Sequence, residues 1–161
     1  MDAKSSMEKI QESLDNYERG LGLLSINTID SAEINNYFSM TRDQINQLNP
    51  LDCNEISTRL IQYAFYIQRQ HNVEQSRLSW SNCEILKYAC DKTDQVGGQY
   101  TKFDAKIYLL SKQDEYISRL VAIRDYAQTR IDRLTYLATS IRNLADVFSS
   151  CAKTKIGMRE K

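Results

Sequence analysis

Six side chains in the middle third of the chain could do chemistry together. Arg59, Tyr66, Arg69, Arg77, Trp80 and Lys87 fall on one face when residues 52–92 are wound into a helix, on the side away from His71. Single-stranded nucleic acid needs cations for its phosphates and flat rings on which unstacked bases lie, each stacked base contributing about 1–3 kcal/mol. A basic stripe with Tyr and Trp interleaved supplies both. The same pattern also fits a blander arrangement, with Tyr66 and Trp80 in a core or interface and the arginines on a solvated face. A second candidate lies near the C-terminus, where Arg119, Tyr126 and Arg133 occupy successive g-type positions with Arg124 close by. In a coiled coil such arginines pair with acids on the facing helix. Ten tyrosines in 161 residues suit interfaces and base-stacking surfaces alike.

Other chemistries find little support. His71 is the one imidazole, and its stripe of Leu60, Ala64, Ile67 and Leu78 marks it as a satisfied core or seam histidine. Cys53, Cys83, Cys90 and Cys151 lack the spacing of a zinc site and read as buried thiols in a reducing compartment. No Gly-rich phosphate loop, nucleophile elbow or metal motif is present, so the expectation is a non-enzyme without metal or cofactor. Gly97-Gly98 reads as a hinge.

The elements that must position these residues are helical. Met7, Ile10, Leu14, Tyr17, Leu21 and Leu24 alternate spacings of three and four, a seam of about three heptads that predicts packing on another helix. Residues 25–28 break it. A second short helix carries Ile34, Phe38, Thr41, Ile45 and Leu48 on one face and closes at Pro50. Asp52 with Glu55 has the form of a capping box and opens a helix of about 40 residues, roughly 60 Å. The stretch 99–110 fits either a short helix or an extended connector. Ser111 with Asp114 repeats the capping pattern before the strongest seam, Leu120, Ile123, Ala127, Arg130, Leu134, Leu137, Ile141, Leu144 and Phe148. Arg130 is the polar exception, costly unless paired and a device for fixing register. Ile131, Ala138 and Ala145 widen the buried face on one flank. More seams than intrachain partners predict a homo-oligomer built through this last seam.

The expected fold is thus all-α: an elongated antiparallel long-helix hairpin at 51–150 with a connector around 95–111. An acidic N-terminal helical arm (1–50) and a flexible basic tail (151–161) complete it. Charge is graded along the chain, −4 over residues 1–50, −1 over 51–100 and +5 over 101–161, and sums to zero. Neutrality excludes a strong polyelectrolyte binder acting as a monomer. The polar N-terminus is no secretory signal and no apolar run spans a bilayer, so a cytoplasmic protein without membrane contact is expected.

From Asn54 to Phe148, roughly 60% of the chain, the arrangement resembles the phage recombination mediator proteins of the UvsY type. A Tyr-rich helix, ISTRLIQYAFYIQRQ, runs into QSRLSW and EILKYA. After a break and a connector comes DEYISRLVAIRDYAQTRIDRLTYLATSIRNLADVF. The resemblance implies a non-enzymatic accessory factor, oligomeric as a helical ring, that binds single-stranded DNA in the host cytoplasm. It would help a RecA-like recombinase replace the single-strand-binding protein. The family's basic LKAR-like run corresponds to Leu86-Lys87-Tyr88-Ala89, so Lys87 matches while Ala89 stands where the arginine is expected, with Arg77 and Tyr88 as possible compensation. The competing expectation is a phage structural, adaptor or coiled-coil scaffold protein with no nucleic-acid role.

Overall fold

The computed structural model describes residues 3–22, 31–90, 92–93, 96–98 and 100–159. Among these all regular structure is helical, as the apolar periodicity requires: α1 (Ala3–Gly20), α2 (Ser31–Ser39), α3 (Arg42–Gln47), α4 (Pro50–Ala89), α5 (Phe103–Gln113), α6 (Glu115–Leu134) and α7 (Leu137–Arg159). No described helix is long and apolar enough to cross a membrane. Leu24 and the expected break at 25–28 lie outside the described residues.

The expected hairpin-like pairing of long helices is present, α4 with α6 and α7, but the chain divides into two compact units and neither is a separate arm or tail. One unit combines Met1–Ser25 with His71–Arg133, the other Ile26–Gln70 with Leu134–Lys161. Residues 1–50 are therefore not one arm, since α1 belongs to one unit and α2 and α3 to the other. Residues 151–159, expected in a flexible tail, are the last turns of α7. The helix continues because Ala152 is buried and Lys155 Nζ donates to the carbonyls of Ile45 and Leu48 at 2.7 and 2.6 Å.

In the unit of residues 26–70 and 134–161, the first half of α4 runs antiparallel to α7. Ser57 Oγ donates to the Ala145 carbonyl at 2.9 Å, and the core joins Ile34, Ile56, Leu60, Ala64 and Ile67 to Ala138, Ile141, Ala145 and Phe148. The single short helix expected at 34–48 is two, because Thr41 caps α3. Its hydroxyl accepts from Gln44 N and its own N–H donates to Gln44 Oε1 at 2.8 Å, a capping box. Tyr37 donates to the Glu33 carboxylate, and burial together with that acceptor pushes its phenol up to about 12. α4 starts one turn earlier than the Asp52–Glu55 pair suggests. Asn49 Oδ1 accepts from Asp52 N at 2.9 Å, so Asn49 is the N-cap, Pro50 the first helical residue and Asp52 the reciprocal acid.

In the unit of residues 1–25 and 71–133, the second half of α4 pairs with α5 and α6 around Ile85, Ala89, Val96, Ile107, Leu110, Ile117 and Leu120. The stretch left open as helix or extended is α5, while Gly97-Gly98 forms a hydrogen-bonded turn rather than a hinge. Gly97 takes φ 77°, where a Cβ would stand 3.0 Å from the Thr101 hydroxyl that accepts from Gly98 N. Asp114, not Ser111, caps α6. Its Oδ1 accepts from the Tyr116 and Ile117 amides at 2.9 and 3.3 Å and its Oδ2 from Lys92 Nζ at 2.8 Å. α1 docks through Ala3, with Met7 half-buried, and turns the rest of its described seam, Ile10, Leu14, Tyr17 and Leu21, outward.

The Lys92 ammonium, and to a lesser degree the two amides, hold the Asp114 carboxyl below the usual aspartate range against an opposing contribution from burial. A carboxyl depressed by folding contributes stability that is complete above its unfolded value, near 4, and is lost as pH falls through the lower folded value. Asp114→Ala is expected to cost about 1 kcal/mol at neutral pH. It should also shrink the difference between urea midpoints at pH 7 and pH 3; an undiminished difference would remove Asp114 from the acid limb.

The long C-terminal helix is also split. Thr135 and Tyr136 separate α6 from α7, with Tyr136 at φ 67°, a left-handed conformation that costs a residue bearing a Cβ about 1–2 kcal/mol.

Candidate nucleic-acid interface

The six residues of the α4 stripe are divided between the two units, and the fold commits most of them. In the unit of residues 26–70 and 134–161, Arg59 is exposed with no hydrogen bond or ion pair among the described residues. Tyr66 packs against the core and stacks on Tyr63 with ring centroids 5.9 Å apart. Arg69 is half-buried and engaged. In the other unit Trp80 packs against the core. Lys87 is exposed but held by Glu84 at 2.9 Å, and that hydrogen bond raises its pKa. Arg77 turns inward, its guanidinium 2.6 Å from Glu74 Oε1 and its Nε buried without an acceptor among the described residues. Tyr88, the possible compensator, packs on Tyr116 at 4.8 Å and lies under the Lys92 ammonium.

The cause is Glu74. It sits on the inward face of α4 and is buried, and Arg77 from one turn on and Arg130 from α6 both bond its Oε1, at 2.6 and 3.1 Å. Neither its Oε2 nor the buried Nδ1 of the half-buried His71 has a hydrogen-bond partner among the described residues. The thiols differ from expectation too: only Cys53 is buried, whereas Cys83 and Cys90 are exposed and Cys151 half-exposed.

The C-terminal seam is taken up inside the chain. Leu120 and Ala127 are buried, with Ile123 packed against the core that holds Leu120; Ile141 and Phe148 are buried in the other unit, with Leu134 and Leu144 against their core. Leu137 is partly exposed. Arg130 is no seam residue. Ile131 takes the inward place beside it, and the Arg130 side chain is 56% exposed even while it reaches Glu74.

What remains on the outside of α6 is a ridge. Arg119, Tyr126, Arg130 and Arg133 share one face over 14 residues, about 21 Å. Tyr126 is 68% exposed. Arg119 pairs with the exposed Glu115 at 2.6 Å and is engaged further, and Arg133 is exposed and without a hydrogen bond or ion pair among the described residues. Arg124, on the flank, pairs with Asp125. A cleft of about 320 Å³ lined by Lys4, Arg119, Ala122, Ile123 and Tyr126 adjoins the ridge and adds a cation from α1. Spacing alone points to Arg119, Tyr126 and Arg133. Nothing in the sequence brings Lys4 to them, because the docking of α1 is not a periodic signal. No cluster of three or more His, Cys, Asp or Glu side chains fit for a metal occurs among the described residues. No family model, no curated protein and no solved structure matches this chain.

Proposed function

We propose that the chain is a non-enzymatic protein that binds single-stranded nucleic acid weakly, and without strong sequence preference, on the outer ridge of α6. The observation that carries this reading is an exposed tyrosine between cations on one helical face, Arg119, Tyr126, Arg130 and Arg133, with Lys4 beside them. Arginines neutralise phosphates and release counterions, and an open phenol ring stacks on any base. The site moves from α4 to α6, because Arg77, Trp80 and Tyr66 serve the fold. Since the chain is neutral overall, one copy binds weakly, and several copies held together gain by effective concentration. Joined to the UvsY-like arrangement, the reading becomes a homo-oligomeric recombination mediator in the host cytoplasm, working beside a RecA-like recombinase and a single-strand-binding protein.

Titration of labelled oligo-dT by fluorescence anisotropy at two salt concentrations tests it. Arg119→Glu with Arg133→Glu should weaken binding at least tenfold and flatten the salt dependence, while Arg59→Glu has a smaller effect. Unchanged affinity in the double variant, or no salt-sensitive binding by the parent chain, overturns the proposal. A helical scaffold or adaptor is the second reading, favoured by one observation: the outward Ile10, Leu14, Tyr17 and Leu21 of α1. It predicts indifference to oligo-dT.

A further inference from the structure

The thiols of Cys53 and Cys151 lie at one level of the antiparallel α4–α7 pair. Two hydrogen bonds bracket that level: Ser57 Oγ to the Ala145 carbonyl at 2.9 Å and Lys155 Nζ to the Leu48 carbonyl at 2.6 Å. Cys53 stands between Leu48 and Ser57 on one side, and Cys151 between Ala145 and Lys155 on the other. The helices approach closely here, since a serine hydroxyl spans from one to the backbone of the other, and Ala145 and Ala152 are fully buried on α7. Disulfides need Cα atoms about 4.4–6.8 Å apart, a separation that small residues at a helix contact permit. The two sulfurs also act on one another. Burial pushes the Cys53 thiol up, the Lys155 ammonium pulls it down, and Cys151 pushes it up again. Cys83 and Cys90 have no such arrangement, being seven residues and about 10 Å apart along the axis of α4.

We propose that Cys53 and Cys151 are an oxidation site that closes to a cross-helix disulfide on reaction with a peroxide. Access decides the roles. Cys151 lines an open groove of about 690 Å³ with Val147, Thr154, Lys155 and Met158, whereas Cys53 has no exposed surface. Cys151, as the thiolate, attacks hydrogen peroxide. An S–O bond forms, the O–O bond breaks, and hydroxide leaves with the proton of the thiol as water. The Cys53 sulfur then attacks the sulfenic sulfur. The S–S bond forms, the S–O bond breaks, and the departing hydroxide takes the Cys53 proton as a second water. Two thiols have lost two electrons and two protons, and one peroxide has become two waters.

The experiment uses the full chain. It is treated with a small excess of hydrogen peroxide, quenched, unfolded, alkylated and mapped by mass spectrometry. The expected product is a single internal cross-link between the Cys53 and Cys151 peptides, with alkylatable thiols falling from four to the two of Cys83 and Cys90. Cys151→Ser, at a half-exposed position that the fold tolerates, should abolish the cross-link and leave Cys53 alkylatable, while Cys83→Ser with Cys90→Ser should leave its yield unchanged. Sulfinic acid at Cys151 with Cys53 still fully alkylated, or cross-linking between chains through Cys83 or Cys90, overturns the proposal.

Discussion

Phe148→Ala should lower the stability of the protein by about 3–5 kcal/mol, the largest effect of any single truncation expected here. Phe148 is the largest fully buried side chain among the described residues and belongs to the core formed by α2, the first half of α4 and α7. Its neighbours Ile56, Leu60, Ile141 and Ala145 sit on helices held by their own backbone hydrogen bonds, so they cannot collapse into the space it leaves. The loss therefore combines the transfer free energy of the ring with the unfilled cavity. Against a total stability of about 5–15 kcal/mol, that raises the open population of residues 50–70 and 137–159 by about two to four orders of magnitude. Urea unfolding gives the size, and hydrogen exchange gives the place, with protection falling first in those two segments. The adjacent Val147→Ala, on the exposed side of α7, should stay within about 0.5 kcal/mol. A Phe148→Ala protein within 1 kcal/mol of the parent would contradict this account of the core.

Glu74→Leu is expected to cost about 2–3 kcal/mol, which Arg77→Leu in the same chain should largely restore. Removing one member of a fully buried ion pair costs about 3–5 kcal/mol, because the remaining charge is left desolvated. Here Arg77 is 27% exposed and Arg130 56% exposed, so solvent screens what remains and the cost falls below that range. Arg77 bears the larger share, being the less exposed of the two and the closer to Glu74. Replacing both partners by apolar groups removes the desolvation problem along with the attraction. Glu74→Gln keeps the acceptor and should lie between the two. Full additivity of Glu74→Leu and Arg77→Leu in a double-mutant cycle would show that the pair is not coupled.

The helical class was legible because apolar spacings of three and four recur through most of the chain, and the long α4 was placed within three residues at either end. The break at Tyr136 was not. Ile131, Ala138, Ala145 and Ala152 follow one another in steps of seven across it, so the seam keeps its phase, and neither Gly nor Pro marks the place. Arg130 was misplaced for a related reason. Its distance from Ala127 and Leu134 fits a seam, and only packing reveals that Ile131 turns inward instead. The α4 stripe was legible as a pattern, but a buried acid at position 74 recruits Arg77 from it, and periodicity does not distinguish an arginine facing solvent from one held by a buried carboxylate. The outer ridge of α6 could be seen by spacing, while the contribution of Lys4 depends on how α1 docks.

The two units are interleaved in the chain, and that has a consequence for synthesis. Partners joined between helices are 22 and 56 residues apart in one unit, at Lys92–Asp114 and Glu74–Arg130, and 88 in the other, at Ser57–Ala145. The entropy of closing a loop rises with its length, so the pairing nearest the connector forms at least cost and each later one closes on an end already restrained. A growing polypeptide can complete the unit that ends at Arg133 while Ile34, Ile56 and Leu60 still wait for α7 to leave the ribosome. Those waiting side chains are what a nascent-chain chaperone would meet, and a chain ending before residue 137 would present them permanently.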